Sequence, residues 1–281
     1  MVLSLALIAA LSGATPTSFQ VEVEGRGAPL ILIPGLACGA DVWKETVARY
    51  KDRYQVHTLT LAGFAGQPAI KEPLLPTVAA ELAAYIREKR LQKPTVVGHS
   101  LGGVLAMRVA ATEPDLLGAV VSVDGVPFLP ALMDPSATAQ SVAVDAGKFR
   151  ERLVSLPIDA FRAQQRGALA RMVTGRDDLD RLAKMGARSD PWSVGSAMYD
   201  VMTTDSRPAV SSIRVPLLLI AAGALFPAEQ RPAAQAAYEA QVKGVRNHQV
   251  VLAENARHFI MLDDRAFFFA TLDRFLAGAV N

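Results

Sequence analysis

A chain of 281 residues, of which 51% are hydrophobic and 20% charged, can fill one globular domain with room for an inserted subdomain. The 29 Lys and Arg residues almost balance the 27 Asp and Glu residues and form no basic run, which argues against a nucleic-acid partner. The single cysteine, Cys38, excludes an intramolecular disulfide. Because no base is evident near it, we interpret Cys38 as a buried thiol rather than a nucleophile.

The first 14 residues have the pattern of a signal peptide. Residues 1–11 are almost wholly apolar, and residues 12–14 (Ser-Gly-Ala) resemble a cleavage site of small residues. The apolar run is too short to span a membrane, and it lacks the usual basic residue before it. We therefore expect an exported protein, periplasmic or secreted. If the segment is instead a leading strand or a buried arm, the protein is cytoplasmic.

Short apolar segments alternate with longer segments of helical spacing along most of the chain. The strands are predicted at residues 19–24, 29–33, 54–61, 95–97, 118–123, 215–221 and 249–253, and the helices at 41–50, 78–89, 104–111, 228–243 and 267–276. Continuous apolar runs are typical of strands that are covered on both faces. Strands that alternate with helices predict an α/β fold with a doubly wound, mostly parallel sheet.

Residues 126–208 interrupt this alternation. The segment holds several prolines, and its short helical stretches carry many charged residues. We predict that it is an inserted helical cap. The core domain is then made of residues 19–125 and 209–281.

The residues between the strand at 95–97 and the helix at 104–111 form a Gly-x-Ser-x-Gly motif with Ser100 at its centre. Gly98 and Gly102 lack a Cβ atom, so the strand and the helix can pass close to a strained residue at the tip of the turn. A serine in this context is a candidate nucleophile. The alternative is an ordinary loop serine.

A serine hydroxyl needs a base to take its proton, and His258 is the candidate. It follows the last predicted strand and precedes the last helix, late in the chain as the order Ser, acid, His requires. The other histidines fit less well. His57 lies within a predicted strand, His99 is at the tight turn beside Ser100, and His248 is near a polar turn.

A carboxylate should orient the imidazole of His258, and the sequence leaves its identity open. Asp124 ends the strand at 118–123 and is the preferred candidate, although Asp-Gly is also a common turn pair. Glu229 and Asp205 are alternatives, as is the absence of any acid. Asp205 lies two residues before Arg207 and could simply pair with it.

Acyl transfer also needs donors for a tetrahedral oxyanion, and we expect the backbone N–H groups of Leu36 and Leu101 to supply them. Phe64 and Phe128, next to predicted loops, are candidates for substrate binding. Further apolar candidates near loops or in the cap are Leu129, Met133, Trp192, Met198, Met202 and Phe259.

Three segments, residues 33–36, 98–103 and 257–259, together resemble the α/β-hydrolase superfamily, in its capped form. The resemblance runs from about residue 19 to the end of the chain. It implies an eight-stranded sheet, hydrolysis through an acyl-enzyme, and a pocket roofed by the cap. One departure concerns the acid: many members carry it in the loop that here is residues 222–227, which contains none. Some members place it one strand earlier, where Asp124 stands.

The leading hypothesis is a serine hydrolase that cleaves an ester or related acyl bond of a small-molecule substrate. The alternatives are a receptor-like protein that binds ligands without turnover, a serine-dependent perhydrolase, and a C–C bond hydrolase. A serine at residue 100 argues against a haloalkane dehalogenase, which uses Asp there. No metal-ligand spacing and no dinucleotide fingerprint is present, so we expect no metal and no cofactor. The sequence leaves the oligomeric state open.

Overall fold

A computed structural model describes residues 16–279, so the predicted signal peptide at residues 1–14 lies outside the described residues. Within them, seven strands form one sheet in the order β1-β3-β2-β4-β5-β6-β7. The strands are Phe19–Gly25 (β1), Ala28–Ile33 (β2), Tyr54–Leu61 (β3), Thr95–His99 (β4), Ala119–Val123 (β5), Leu217–Ala222 (β6) and His248–Ala253 (β7).

Every pairing in the sheet is parallel except that of β1 with β3. The predicted doubly wound α/β fold is therefore confirmed. The strand count is a correction, because eight were expected from the resemblance and the described residues form seven. A single antiparallel strand, β1, lies at the edge beyond β3, and its exposed Glu22 and Glu24 protect that edge from further pairing.

Ten α-helices occur in the described part of the chain. They are Lys44–Tyr50 (α1), Leu74–Glu88 (α2), Leu101–Thr112 (α3), Ala139–Ser155 (α4), Ile158–Met172 (α5), Arg176–Gly186 (α6), Pro191–Thr203 (α7), Arg231–Val242 (α8), Ile260–Asp263 (α9) and Arg265–Ala279 (α10). Each of these described helices is too short or too polar to cross a lipid bilayer.

Alternate side chains of each inner strand enter different halves of the core, as the two-residue period of a strand requires. In β2, Leu30 and Leu32 pack with α1 and α10, whereas Ile31 and Ile33 pack with α2 and α3. All four are completely buried. Because both faces of the sheet are covered, the only accessible part of the inner strands is their ends.

Helices α4 to α7 lie between β5 and β6 in the chain, and we call these four helices the cap. Residues of α4, α5 and α7 line a cavity together with Ser100 and His258. Two hydrogen bonds tie the start of α7 to the loop after β3. The Asp190 N–H donates to the Gly63 carbonyl oxygen (2.7 Å), and the Ala65 N–H donates to Ser189 Oγ (2.9 Å). The cap is thus attached to the loop after β3 as well as through its own two ends.

Candidate active site

Ser100 occupies the tight turn between β4 and α3. Its backbone has φ 52° and ψ −118°, a conformation that non-glycine residues rarely adopt. Hydrogen bonds hold it there: its N–H donates to the Val123 carbonyl (2.8 Å), and its own carbonyl accepts from the N–H groups of Gly103 and Val104. The strain is therefore fixed by β5 on one side and by the first turn of α3 on the other.

The glycines that flank Ser100 are required by close approach of the backbone. A Cβ atom on Gly98 would lie 2.1 Å from the Gly102 carbonyl oxygen, and one on Gly102 would lie 2.3 Å from the Ile33 carbonyl oxygen. Neither space could open without moving backbone. The motif thus allows β2, β4 and α3 to meet beneath the serine.

His258 and Asp124 meet although 134 residues separate them in sequence. The imidazole Nδ1 lies 2.6 Å from Asp124 Oδ2. The other carboxylate oxygen, Oδ1, accepts hydrogen bonds from the Ala222 N–H (2.9 Å) and the Tyr238 hydroxyl (2.8 Å). Hydrogen bonds therefore hold both oxygens of the nearly buried Asp124 carboxylate in place. The carboxylate in turn holds the orientation of the His258 ring.

These contacts decide the charge of Asp124. Burial raises its pKa, but the hydrogen bond and charge of His258, together with the Ala222 N–H and the Tyr238 hydroxyl, outweigh burial and hold the pKa below its ordinary value. Burial, and then the charge of Asp124, raise the pKa of Tyr238. The acid is therefore an ionised acceptor and the phenol a protonated donor.

An ionised Asp124 assigns the tautomer of His258. Nδ1 carries the proton and donates it to the carboxylate, which leaves Nε2 as a lone-pair acceptor for a proton from elsewhere. The His258 side chain is 20% exposed and lines the same cavities as Ser100. Ser100, His258 and Asp124 are therefore arranged as a nucleophile, a base and an orienting acid.

The two alternative acids lie in other environments. Asp205 receives hydrogen bonds from the Arg207 guanidinium (2.9 and 2.6 Å), an arrangement that the sequence offered as its other role. Glu229 is exposed in a short 3₁₀ turn before α8. Of the three candidates, Asp124 alone contacts His258.

The remaining histidines have structural partners. His57 is buried in β3 with Nδ1 2.7 Å from the Tyr85 hydroxyl. His248 Nδ1–H donates to the Val245 carbonyl oxygen (2.6 Å). His99 is more closely connected with the site: its Nε2–H donates to the His258 carbonyl oxygen (3.0 Å), and the two rings are 4.6 Å apart.

His99 stays neutral in this position. Burial, followed by the charge of His258, lowers the pKa of His99 to about 3. Its ring fits because residue 35 is glycine: a Cβ atom there would lie 2.7 Å from His99 Nδ1 and 3.2 Å from the Ser100 Cβ. His99 therefore positions the His258 loop and takes no part in proton transfer.

The two backbone groups that we expected to stabilise an oxyanion both belong to residues beside the serine. Leu36 follows the turn after β2, and Leu101 is the first residue of α3, so its N–H has no partner within the helix. Within residues 16–279, neither amide donates a hydrogen bond to another protein group. Both N–H groups are therefore free to donate to a ligand.

Two cavities of about 280 Å³ each meet at Ser100 and His258. We call them the apolar lobe and the α5 lobe. Besides Ser100, Asp124, Gly125, Tyr238 and His258, the apolar lobe is lined by hydrophobic residues: Leu36, Leu101, Val104, Val126, Leu129, Leu132, Met133, Met172, Met198, Val201, Leu225 and Phe226. The α5 lobe shares some of these and adds Phe149, Leu153, Gln164, Gln165, Ala168, Leu169, Arg171, Val194, His99 and Phe259.

The positions of Phe64 and Phe128 require a correction. Both are completely buried and neither lines a lobe, since Phe64 packs in the main core and Phe128 in a small cluster beneath the Arg207 guanidinium. Of the further apolar candidates, Leu129, Met133, Met198 and Phe259 line a lobe, whereas Trp192 is exposed. Sequence reasoning missed Tyr238 and Met172, which lie on helices far from the motifs.

The family model described as the alpha/beta hydrolase family matches residues 30–271. The chain belongs to that family. Two relatives are pimeloyl-acyl-carrier-protein methyl ester esterases. The one from Xanthomonas axonopodis pv. citri is 31% identical over 72% of this chain and 70% of its own length. The one from Aliivibrio salmonicida is 31% identical over 40% of this chain, and the match spans 41% of that enzyme's length.

Solved structures support the fold assignment of this α/β-hydrolase family member. A thermophilic esterase from Thermogutta terrifontis superimposes with a TM-score of 0.74 over 93% of each chain, at 17% identity. At that identity the likeness extends to the fold and no further. The activity must be argued from the side chains.

Proposed function

We propose that this α/β-hydrolase family member cleaves carboxylic esters through an acyl-enzyme formed on Ser100. The observation that carries the proposal is the 2.6 Å contact between Asp124 Oδ2 and His258 Nδ1 in a cavity shared with Ser100. It gives His258 the tautomer that a general base needs. Residues 222–227 contain no acid of their own. The Ala222 N–H donates instead to Asp124 Oδ1, which places the carboxylate of the preceding strand beside this segment.

In the first half-reaction, Ser100 Oγ attacks the ester carbonyl carbon while His258 Nε2 takes the hydroxyl proton. The carbonyl oxygen becomes an oxyanion that the N–H groups of Leu36 and Leu101 stabilise. When the intermediate collapses, the bond to the alcohol oxygen breaks and His258 returns its proton to that oxygen. The alcohol leaves, and the acyl group stays on Ser100.

In the second half-reaction, water replaces the alcohol. His258 takes a proton from the water, whose oxygen attacks the acyl carbon and forms a second oxyanion at the same N–H groups. Collapse breaks the bond to Ser100 Oγ, which regains the proton from His258. The carboxylic acid is released, and the ionised Asp124 faces the imidazolium in each step without taking its proton.

The lining of the apolar lobe supports an ester with an apolar arm. Met133 and Leu225, which line it, are 84% and 53% exposed, so the mouth of the lobe is apolar as well. Two of the relatives act on methyl esters, according to their names. A carboxylic ester with a short alcohol or acyl arm is the corresponding first substrate for this chain.

Turnover of p-nitrophenyl esters of increasing acyl length tests the proposal. We expect hydrolysis by the wild type and none above background by Ser100→Ala. Ser155→Ala, at the exposed end of α4 with its hydroxyl bonded to the Arg152 carbonyl, is the matched control and should keep full activity. A folded wild type that binds these esters without cleaving them would favour the receptor-like alternative. Turnover only with peroxide or with a C–C substrate would favour the other two alternatives.

A further inference from the structure

The α5 lobe carries a buried polar group that the proposed acyl transfer does not use. The side-chain amide nitrogen of Gln165, Nε2, is buried in the lining of this lobe and has no hydrogen-bond partner within residues 16–279. A buried N–H donor without a partner is unfavourable, so native proteins rarely keep one unless a ligand or water satisfies it. Nε2 can only donate, and its partner must therefore be an acceptor.

An exposed arginine contributes to the lining of the same lobe. Arg171, near the end of α5, lines it and has no acidic partner in the described part of the chain. Other arginines of α5 differ: Arg162 pairs with Asp159, and Arg166 with Asp180. Among the residues described, no Asp or Glu lines the α5 lobe. The lobe therefore offers donors and positive charge without a compensating carboxylate.

We propose that the α5 lobe binds a carboxylate on one arm of the ester, with Gln165 and Arg171 donating hydrogen bonds to its oxygens. A carboxylate accepts several hydrogen bonds and is the ordinary partner of a guanidinium, whereas an alkyl chain would leave both donors unpaired. The apolar lobe takes the other arm. The inference rests on the proposed function, and it specifies the substrate as an ester with one apolar and one acid-bearing arm.

The shape of the site explains why the two arms separate. Both lobes include Ser100, His258 and Leu36, so an ester carbonyl placed at the serine lies where the lobes meet. The acyl arm and the alcohol arm extend from that carbonyl in different directions. A pair of isomeric esters then decides which arm carries the carboxylate.

Three esters of similar size test the proposal. Monobutyl adipate carries the carboxylate on its acyl arm, 6-(butanoyloxy)hexanoic acid carries it on its alcohol arm, and butyl hexanoate carries none. We expect kcat/KM for one of the two acids to exceed that for butyl hexanoate by roughly tenfold or more, as a charge-assisted hydrogen bond provides. The difference should lie mainly in KM, because the carboxylate is bound remotely from the reacting carbonyl.

The variants ask whether the named side chains cause the preference. Arg171→Gln and Gln165→Leu should each reduce the ratio of kcat/KM between the preferred acid and butyl hexanoate toward one. Arg166→Gln on the same helix removes a charge that is paired with Asp180 and should keep the wild-type ratio. Thermal unfolding of each variant checks that the fold is intact.

The same order should appear in binding without turnover. In Ser100→Ala, titration calorimetry should give a lower Kd for the preferred acid than for butyl hexanoate, and Arg171→Gln should remove that difference. Equal kcat/KM for all three esters, or a preference that survives Arg171→Gln, would overturn the inference while leaving the esterase proposal intact. If no ester is cleaved, the proposed function fails, and the order of Kd values still decides the inference.

Discussion

The polar side chains at the carboxyl edge of the sheet differ from those of the cap in their burial and in their hydrogen-bond partners. At the edge, both oxygens of Asp124 are bonded, and the strands beneath them are completely buried. In the cap, charged side chains form exposed ion pairs such as Arg166–Asp180, and the Gln165 amide has no partner. We infer from this difference that the edge fixes one geometry, whereas the cap keeps a polar group that a ligand can satisfy.

The largest change in kcat should come from replacing Asp124, the acid at the carboxyl edge. Asp124→Asn keeps the size of the side chain but allows the amide to favour the wrong tautomer of His258, so we expect kcat to fall by about 10⁴-fold, as in serine proteases that lose this acid. Asp205→Asn is the matched control, because that carboxylate pairs with Arg207. Steady-state kinetics on a p-nitrophenyl ester measures both. Similar losses in the two variants would contradict the special role of Asp124.

Replacing a glycine by alanine should change the free energy of unfolding in opposite directions in the two regions. Gly98→Ala places a Cβ atom against the Gly102 carbonyl and should lower the free energy of unfolding by about 3 kcal/mol or more. Gly167→Ala in α5 meets nothing within 4 Å and should raise it by about 0.5–1 kcal/mol, because alanine favours a helix. Urea denaturation measures both. A stable Gly98→Ala protein would show that the edge adapts more than we infer.

The buried histidines should make the fold sensitive to acid. The pKa of His99 is about 3 in the folded protein and 6.5 by the ordinary value, so below pH 6.5 the unfolded chain binds the extra proton. Stability from His99 is thus complete above pH 6.5 and falls by at most about 1.4 kcal/mol for each unit toward pH 3. Burial also lowers the pKa of His57, which acts in the same direction.

Unfolding free energies measured between pH 7 and pH 4 test this sensitivity above the range where Asp124 titrates. The lowered pKa of Asp124 gives stability that is complete above its ordinary value of 3.8 and is lost only as the pH falls through the folded pKa. His99→Asn should give a flatter pH dependence than the wild type over the measured range. An unchanged slope would argue that His99 is already protonated in the folded protein.

Replacing Tyr238, which also lies at the carboxyl edge, should lower kcat by less than replacing Asp124. Tyr238→Phe removes one donor to Asp124 Oδ1 and leaves the Ala222 N–H, so we expect kcat to fall roughly tenfold to a hundredfold. Tyr50→Phe is the matched control, since its hydroxyl bonds Asp273 away from the site (2.8 Å), and it should keep kcat. A loss confined to KM in Tyr238→Phe would mean that the ring serves the lining of the apolar lobe and not the acid.

Buried parallel strands were the part of the fold that the sequence could predict. A continuous apolar run placed β2 at residues 29–33, one residue after its observed start at Ala28, because both faces of such a strand are covered. Helix ends were harder. α2 begins at Leu74, four residues before the predicted start, since Pro76 in its first turn obscured the pattern. The helix predicted at 228–243 is a 3₁₀ turn followed by α8.

The candidate site also has residues that the sequence could predict and residues that it could not. Ser100, Asp124 and His258 follow the ends of parallel strands, and those ends meet at one edge, so order along the chain was enough to propose them together. Phe64 and Phe128 could not be placed, because an apolar loop residue gives no sign of whether it faces a cavity or the core. Tyr238 was missed because it lies on a helix, where its spacing resembles that of an ordinary core residue.

Labelling with a fluorophosphonate shows whether Ser100 is an activated nucleophile. The reagent bonds covalently to a serine that a neighbouring base activates, and peptide mapping by mass spectrometry locates the bond. We expect a single adduct on Ser100 in the wild type, much slower labelling of Asp124→Asn, and none of Ser100→Ala. A folded wild type that stays unlabelled, or that is labelled at a different serine, would contradict this expectation.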